Sequence, residues 1–356
     1  MNPNHVPLRI LDASLNRATE GLRVVEDYVR FVLDDAHLTE QFKQLRHKLA
    51  AAGAALPLPQ RYAARDTQQD VGTTITTPSE VRRVDAWEVC VASFERVKQS
   101  LRSLEEFSKV DIPQAALVFE ALRYRLYALE AAAGRTVDAV ERLAAVRLYV
   151  LLDGGISEVA FVDLVQTLVV AGVGALQLRE KRLSDRELIA RARLMCSNAR
   201  SHWNIPQGEI PFAPLCIIND RPDVAAIVDA DGVHLGQDDM SVKDARAVVG
   251  PQKLIGVSTH SIEQARAAVM AGANYIGVGP TFPSTTKNFD AFPGVELLRQ
   301  VAAEIRLPAF AIGGITAKNV NGVLSAGVTR IAVGSAVNNA ARPGDEATRL
   351  RTALSQ

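Results

Sequence analysis

The sequence has no excess of charge of either sign: forty Lys and Arg balance forty Asp and Glu across 356 residues. Without a net field, general binding to nucleic acid or to an anionic membrane is not expected, so charged ligands must be met locally. Paired or clustered cysteines are also missing. Cys90, Cys196 and Cys216 are scattered and lack metal spacing, which excludes a disulfide scaffold and points to small buried residues in a reducing, cytoplasmic setting. No basic-then-apolar leader opens the chain. The most apolar window, VAFVDLVQTLVVAGVGAL, carries Asp163 and Gln166 and is broken by glycines, so it reads as a buried helix entering a strand rather than a membrane span. Ser-His-Asp spacing, a GxGxxG turn and a Walker lysine loop are absent too.

What is present falls into two halves with different periods. Leu11, Leu15, Ala18, Leu22, Val25, Val29 and Val32 form one helical stripe. Others follow at Leu38-Phe42-Leu45-Leu49, Trp87-Val91-Phe94-Leu101-Leu104 and Phe119-Leu122-Leu126-Leu129, so residues 1–135 read as an all-helical domain. Residues 57–78 lack periodicity and read as a long ordered or functional loop. Residues 136–146 read as a linker. From 147 to 356, eight short apolar runs alternate with helical segments: RLYVLLD, GALQLR, LCIIND, GVHLG, LIGVST, NYIGVG, AFAIGG and RIAVGS. That alternation predicts a (β/α)8 barrel, with a doubly wound sheet as the rival. Residues 203–214 precede a strand and belong on the barrel face away from the site.

A barrel carries its chemistry at the C-terminal strand ends, where this sequence keeps its polar residues. Gln177, Arg179 and Lys181 share strand parity and face inward, where burial without a ligand or partner is costly. A structural pairing with Glu180 or a neighbouring acid is the plainer alternative. Asn219 and Asp220 end the third strand; Gln237, Asp238 and Asp239 end the fourth. Neighbouring parallel strands run about 5 Å apart, so Asp220 and Asp239 can share one Mg2+ carrying a diphosphate; alternatively each caps the helix that follows it. Ser258 ends the fifth run as a donor or a cap. TFPSTTKNFD follows the sixth, setting Ser284, Thr285, Thr286 and Lys287 over the barrel mouth as a closing phosphate loop or a merely solvated one. Glycines of IGGIT and VGSAV, with helix N-termini expected after Ile315 and Ser335, suit a phosphate. His234 reads as a hydrogen-bonded interior residue rather than a base.

Residues 147–345 resemble the thiamine phosphate synthases through QLREK (177–181), NDR (219–221), ADGVHLGQDD (230–239), GVSTH (256–260), GPTFPSTTK (279–287), AIGGI (311–315) and VGSA (333–336). The resemblance implies that hydroxymethylpyrimidine diphosphate and thiazole phosphate give thiamine phosphate and pyrophosphate, through carbon–oxygen cleavage and capture of a pyrimidine-methyl cation. It assigns Asp220 and Asp239 to Mg2+, and Gln177, Arg179, Lys181, Asn219, Ser258 and Lys287 to the pyrimidine diphosphate. Ser284, Thr285, Thr286, Gly314, Gly334 and Ser335 fall to the thiazole phosphate. Ser284 replaces the family's usual Thr and Gly334 a larger apolar residue; neither removes a hydroxyl or a peptide N–H. A thiazole tautomerase-like barrel, or a phosphate-ligand sensor with a docking or dimerisation domain, is the alternative. Small molecules are the expected partners, with no nucleic acid and no membrane; a homo-oligomer is compatible with everything above.

In the first half, Asn16, Glu20, Arg23, Asp27 and Arg30 form a polar stripe, either a salt-bridge ladder or part of a site with Arg65, Asp66 and Asp70 and with Arg96, Arg102, Glu105 and Glu106. LNRATEGLRVVEDYVRF, ARDTQQDVGT and SLRSLEEFSK resemble a helical domain fused to such synthases and linked to phosphorylating hydroxymethylpyrimidine phosphate, which would make the chain bifunctional.

Overall fold

The helical half is held by stripes that meet across close contacts. A computed structural model describes residues 6–65, 82–201, 213–283 and 293–355. Its two compact units are Met1–Ala133 and Gly134–Gln356. The first contains α1 (Val6–Tyr28), a π-turn (Val29–Leu33), α2 (Ala36–Gly53), α3 (Leu58–Ala64), α4 (Ala86–Asp111) and most of α5 (Pro113–Arg142). Asp35 and Asp85 cap α2 and α4, accepting from Leu38 N at 2.7 Å and Glu88 N at 2.8 Å. Helices α1 and α4 approach so closely that a Cβ on Gly21 would lie 2.6 Å from the Val97 side chain.

Leu11 through Val29 of the first stripe are buried, as are all four residues of the second and fourth stripes. Two expectations are corrected. Val32 is exposed, because the π-turn adds residues to the last turn and rotates it off the stripe. Val91 is exposed as well, and Cys90 takes its place beside Phe94, Val97, Leu101 and Leu104. Part of the stretch read as a loop, residues 57–78, is helix α3; residues 66–81 lie outside the described residues. Helix α5 continues to Arg142, through most of the stretch between the two halves.

The second unit is a closed barrel of eight parallel strands in sequence order. They are β1 (Leu148–Leu152), β2 (Ala175–Leu178), β3 (Leu215–Asn219), β4 (Gly232–Leu235), β5 (Leu254–Thr259), β6 (Tyr275–Val278), β7 (Ala309–Ile312) and β8 (Ile331–Val333). Each falls within one of the eight apolar runs. Strand β1 pairs with both β2 and β8, which excludes the open doubly wound sheet. Around them run α6 (Glu158–Val170), α7 (Asp185–Ser201), α8 (Pro222–Ile227), α9 (Val242–Val249), α10 (Ile262–Ala271), α11 (Gly294–Glu304), α12 (Val320–Ser325), α13 (Ser335–Asn338) and α14 (Pro343–Ala353).

Alternation splits each strand between two cores. Leu176, Leu178, Ile218 and Val233 are buried on the other parity from the interior cluster of Tyr149, Ala175, Ile217, Leu254, Tyr275, Phe310 and Ala332. The interior is full because small residues face large ones: a Cβ on Gly256 would sit 2.1 Å from the Tyr275 ring. All three cysteines are buried and free. Among the described residues no helix is long and apolar enough to cross a membrane. Of residues 203–214, expected on the far face, 203–212 lie outside the described residues.

Candidate active site

Strand parity delivers Gln177 inward as expected. It pairs in register with Leu151 and Ile217, is 2% exposed, and its Nε2 donates to the Tyr149 hydroxyl at 2.6 Å. Its Oε1 is buried with no partner among the described residues. Above it opens a cavity of about 570 Å3, lined by Gln177, Arg179, Asn219, Ser258 and the Tyr149 and Tyr275 rings, and also by Gly314, Gly334 and Ser335. A volume of that size suits a small organic ligand. Arg179 makes no ion pair among the described residues, so its charge is open to an anionic ligand. Of the plainer alternative, the ion pair with Glu180 is not formed, but Lys181 does meet a neighbouring acid, Asp220, at 3.4 Å. Glu180 instead accepts from the Arg182 guanidinium and from the peptide N–H of Gly154, and these bonds hold its carboxyl down to about 2 against the opposing effect of burial.

Asp220 and Asp239 are brought together from two neighbouring strand ends. Burial raises the Asp220 carboxyl above the ordinary range, and hydrogen bonding and repulsion from Asp239 raise it further. Lys181 opposes them, its Nζ 3.4 Å from Asp220 Oδ2. Asp220 leaves β3 at φ 59°, a left-handed conformation that Asp tolerates better than most residues, while its N–H still joins the ladder to His234 O at 2.8 Å. Neither acid is a helix cap, which corrects that alternative: Arg221 precedes α8 without a capping side chain, and Ser241 caps α9. Asp239 accepts from Gly236 N at 2.6 Å within its own turn. Ser258 is not a cap either, since Ser261 caps α10; its hydroxyl lies 3.0 Å from His234 Nε2. Among the described residues no group of three or more His, Cys, Asp or Glu is placed to hold an ion, so the pair is the whole carboxylate donor set.

The phosphate end differs from expectation in one respect. Helix α12 starts only at Val320, so no helix N-terminus backs Gly314; peptide N–H groups of a turn remain, with Gly314 at φ 63°. After β8 the one-turn helix α13 begins at Ser335, as expected. A Cβ on Gly334 would meet Leu151 only at 3.8 Å, so an apolar side chain there is sterically acceptable. Ser284, Thr285, Thr286 and Lys287 lie outside the described residues. His234 is interior and hydrogen-bonded; burial, with the nearby charge of Arg179, pushes its imidazole down to about 4.

In the helical unit, Asn16, Thr19, Glu20 and Arg61 line a second cavity of about 600 Å3. Arg65 is nearby through a shared partner: buried Asp12 accepts from Arg61 Nε at 2.8 Å and from Arg65 Nη2 at 3.1 Å. Burial alone would raise the Asp12 carboxyl, but hydrogen bonds from Arg65 and Arg61 outweigh it and lower it. Arg23 and Asp27 pair with each other at 3.5 Å, exposed, as the ladder reading has it. Arg102 and Glu105 form a further pair that Arg123 joins from α5, at 2.9 Å. Asp66 and Asp70 lie outside the described residues.

Residues 148–337 match the family model described as thiamine monophosphate synthase, and residues 9–132 match the ThiD2 family. The chain belongs to the thiamine monophosphate synthase family. It is 44% identical to the thiamine-phosphate synthase of Rhodopirellula baltica over 93% of this chain and 88% of that protein. The thiamine-phosphate synthase of Nostoc punctiforme is 39% identical over 95% and 91%. Thiamine phosphate pyrophosphorylase from Pyrococcus furiosus, a solved structure, superposes with a TM-score of 0.52 at 33% identity, covering 59% of this chain and 96% of its own. As a member of the thiamine monophosphate synthase family, the chain is a transferase of thiamine biosynthesis.

Within that synthase fold, the cavity residues that escaped the sequence reading include Tyr149, Tyr275 and Phe310, whose rings meet edge to face with centroids 5.4–6.0 Å apart. A signal for Tyr275 was present. Gly256 shares its parity one strand away, and a missing side chain inside a barrel leaves room for a large one. Asp12 and Arg61 had no comparable signal, since 49 residues separate them.

Proposed function

We propose that the barrel joins 4-amino-2-methyl-5-hydroxymethylpyrimidine diphosphate to 4-methyl-5-(2-phosphoethyl)thiazole, releasing pyrophosphate. One observation carries this reading: residues from β2, β3 and β5, and the glycine turns after β7 and β8, line a single cavity that also holds the cation of Arg179, which has no ion pair among the described residues. Two anionic substrates then meet in one enclosure. Gln177, Asn219 and Ser258 hold the pyrimidine, Arg179 and Lys181 the diphosphate, and the peptide groups at Gly314, Gly334 and Ser335 the thiazole phosphate. Lys287, with Ser284, Thr285 and Thr286, would complete the phosphate contacts.

The donor set fits Mg2+. Asp220 and Asp239 are two hard carboxylates side by side; burial and the neighbouring Asp239 make Asp220 harder to ionise, and a cation bound with the diphosphate relieves that. When bound, Mg2+ neutralises charge on the departing diphosphate. The methylene carbon–oxygen bond breaks with its electron pair leaving on the diphosphate, and the thiazole nitrogen lone pair then forms the new carbon–nitrogen bond. No proton transfer is needed, and the interior imidazole of His234 is committed to hydrogen bonds with Tyr275 and Ser258. Arg179 and Lys181 orient and neutralise, and the aromatic floor keeps water from the cation. The test is incubation of the chain with both substrates and Mg2+. Stoichiometric pyrophosphate and thiamine phosphate support the reading, and binding without turnover leaves the sensor.

For the helical unit, the reading is ATP-dependent phosphorylation of hydroxymethylpyrimidine phosphate to the diphosphate that the barrel consumes. Supporting it are the ThiD2-family match and the cavity that Asn16, Thr19, Glu20 and Arg61 help line, with Arg65 tied to it through Asp12. Conversion of the monophosphate by the full chain, lost in Asp70→Ala, is the expected result. Unchanged conversion in that variant removes Asp70 from the site.

A further inference from the structure

The floor of the barrel cavity carries a chain of hydrogen bonds that the roles above leave unused. Gln177 Nε2 donates to Tyr149 at 2.6 Å, and the Tyr149 and Tyr275 hydroxyls are 3.1 Å apart. Tyr275 faces His234 Nδ1 at 3.3 Å, and His234 Nε2 faces Ser258 Oγ at 3.0 Å. Five inward positions, on β1, β2, β4, β5 and β6, thus form one line, and Tyr149, Gln177, Tyr275 and His234 are all buried. At one end Gln177 Oε1 has no partner among the described residues.

Counting protons gives the line a direction. A phenol carries one proton, and so does a neutral imidazole on its two nitrogens. With Gln177 Nε2 donating to Tyr149, the Tyr149 proton passes to the Tyr275 oxygen and the Tyr275 proton to Nδ1. Nε2–H then donates to Ser258 Oγ. The ring is buried with its two nitrogens facing the hydroxyls of Tyr275 and Ser258, a setting that suits a neutral imidazole with a single N–H to place. What remains for a ligand is the Gln177 carbonyl as acceptor and the Ser258 hydroxyl as donor. The opposite sense would turn all five groups over together, presenting the Gln177 amide as donor and the Ser258 oxygen as acceptor, a pattern that suits an oxopyrimidine instead. A 4-aminopyrimidine presents an amine donor beside a ring-nitrogen acceptor, the complement of the Gln177 carbonyl and the Ser258 hydroxyl; a 4-oxopyrimidine presents the inverse.

We infer that Tyr149, Tyr275 and His234 are positioning residues that lock the Gln177 amide with its carbonyl toward the cavity, so that the site selects an amino- over an oxopyrimidine. The inference rests on the pyrimidine reading given above. It extends the specificity determinants from the residues that touch the ring to three behind them. Tyr149 is the critical link, being the partner that holds Gln177 Nε2.

The test compares, in the full chain, the KM of the aminopyrimidine diphosphate with the Ki of its 4-oxo analogue as a competitive inhibitor. The wild type should turn over the first and bind the second poorly. In Tyr149→Phe the amide is free to rotate, and the ratio of Ki to KM should fall at least about tenfold, one lost charge-free hydrogen-bond constraint, with the KM for thiazole phosphate unchanged. Tyr275→Phe breaks the line one step further away and should shift the ratio in the same direction by less, about threefold. Equal weakening of both pyrimidines, or an unchanged ratio, overturns the inference and leaves the synthase reading intact. Absence of wild-type turnover would instead sink the synthase reading and this one with it. Thermal melting reports whether Tyr149→Phe folds; where it does not, the Tyr275→Phe ratio decides by the same criterion.

Discussion

The two units treat their charged residues in opposite ways. In the helical unit, three buried acids are matched to arginines: Asp12 to Arg61 and Arg65, Glu26 to Arg46 at 2.6 Å, Glu105 to Arg123 at 2.9 Å. In the barrel, Asp220 faces a second acid, Arg179 faces an open cavity and Gln177 Oε1 faces no donor among the described residues. The reason is geometric. A helix pairs residues three or four apart on its own surface and against its neighbours. Parallel strands closing a barrel aim every C-terminal end at one mouth, so like charges converge unless a ligand separates them. Mismatch in the barrel thus points to a ligand, whereas matching in the helical unit points first to stability.

The sharpest way to break that contrast is Asp220→Asn. Turnover, followed by pyrophosphate release, should fall by about 10²–10³. Melting temperature should hold or rise at neutral pH, because burial and Asp239 disfavour the ionised form in the fold. Equal losses of activity and stability would place Asp220 among the structural acids instead. Asp12→Ala should do the reverse. Its loss strands two arginines and should lower stability by about 2 kcal/mol, moderated because Arg65 can rehydrate, while the barrel reaction keeps its rate. Reduced thiamine phosphate formation from supplied diphosphate in that variant would contradict the division.

His234 offers a pH-dependent sharpening. Its folded value near 4 lies below the ordinary 6.5, so the fold favours the neutral ring. That contribution is complete above about 6.5 and is lost as pH falls toward 4, where the unfolded chain takes up a proton first. Melting curves between pH 7 and pH 4 should therefore decline less steeply in His234→Asn. The smallest effect belongs to the exposed Arg23–Asp27 pair: Asp27→Ala should change stability by less than about 0.5 kcal/mol, and a larger loss would show that the stripe on α1 does more than face solvent.

The eight strands were legible because a buried parallel strand is a short, nearly continuous apolar run between turns, and each of the eight runs holds one strand. Inward placement of Gln177 followed from parity alone. Capping of helices by Asp220 and Asp239 was a fair alternative locally, since Asp before a helix is a common cap; Ser241 occupies that position for α9. The dipole expected behind Gly314 failed because local pattern does not say how many residues a turn uses before its helix starts, here at Val320. Val91 was misplaced by one position for a similar reason, as a stripe is defined by its neighbours in space.

By itself the sequence determined periodicity, and therefore which segments are helix or strand, which faces are apolar, and that polar groups gather at strand ends. Those are local properties, set by 3.6- and 2-residue repeats that any stretch carries with it. Only the tertiary structure decided which distant residues meet: Asp220 with Asp239, Asp12 with Arg61, and the line from Gln177 through Tyr149, Tyr275 and His234 to Ser258. Barrel closure supplies that information, because it folds a linear order of strands into a ring where every inward side chain shares one small interior.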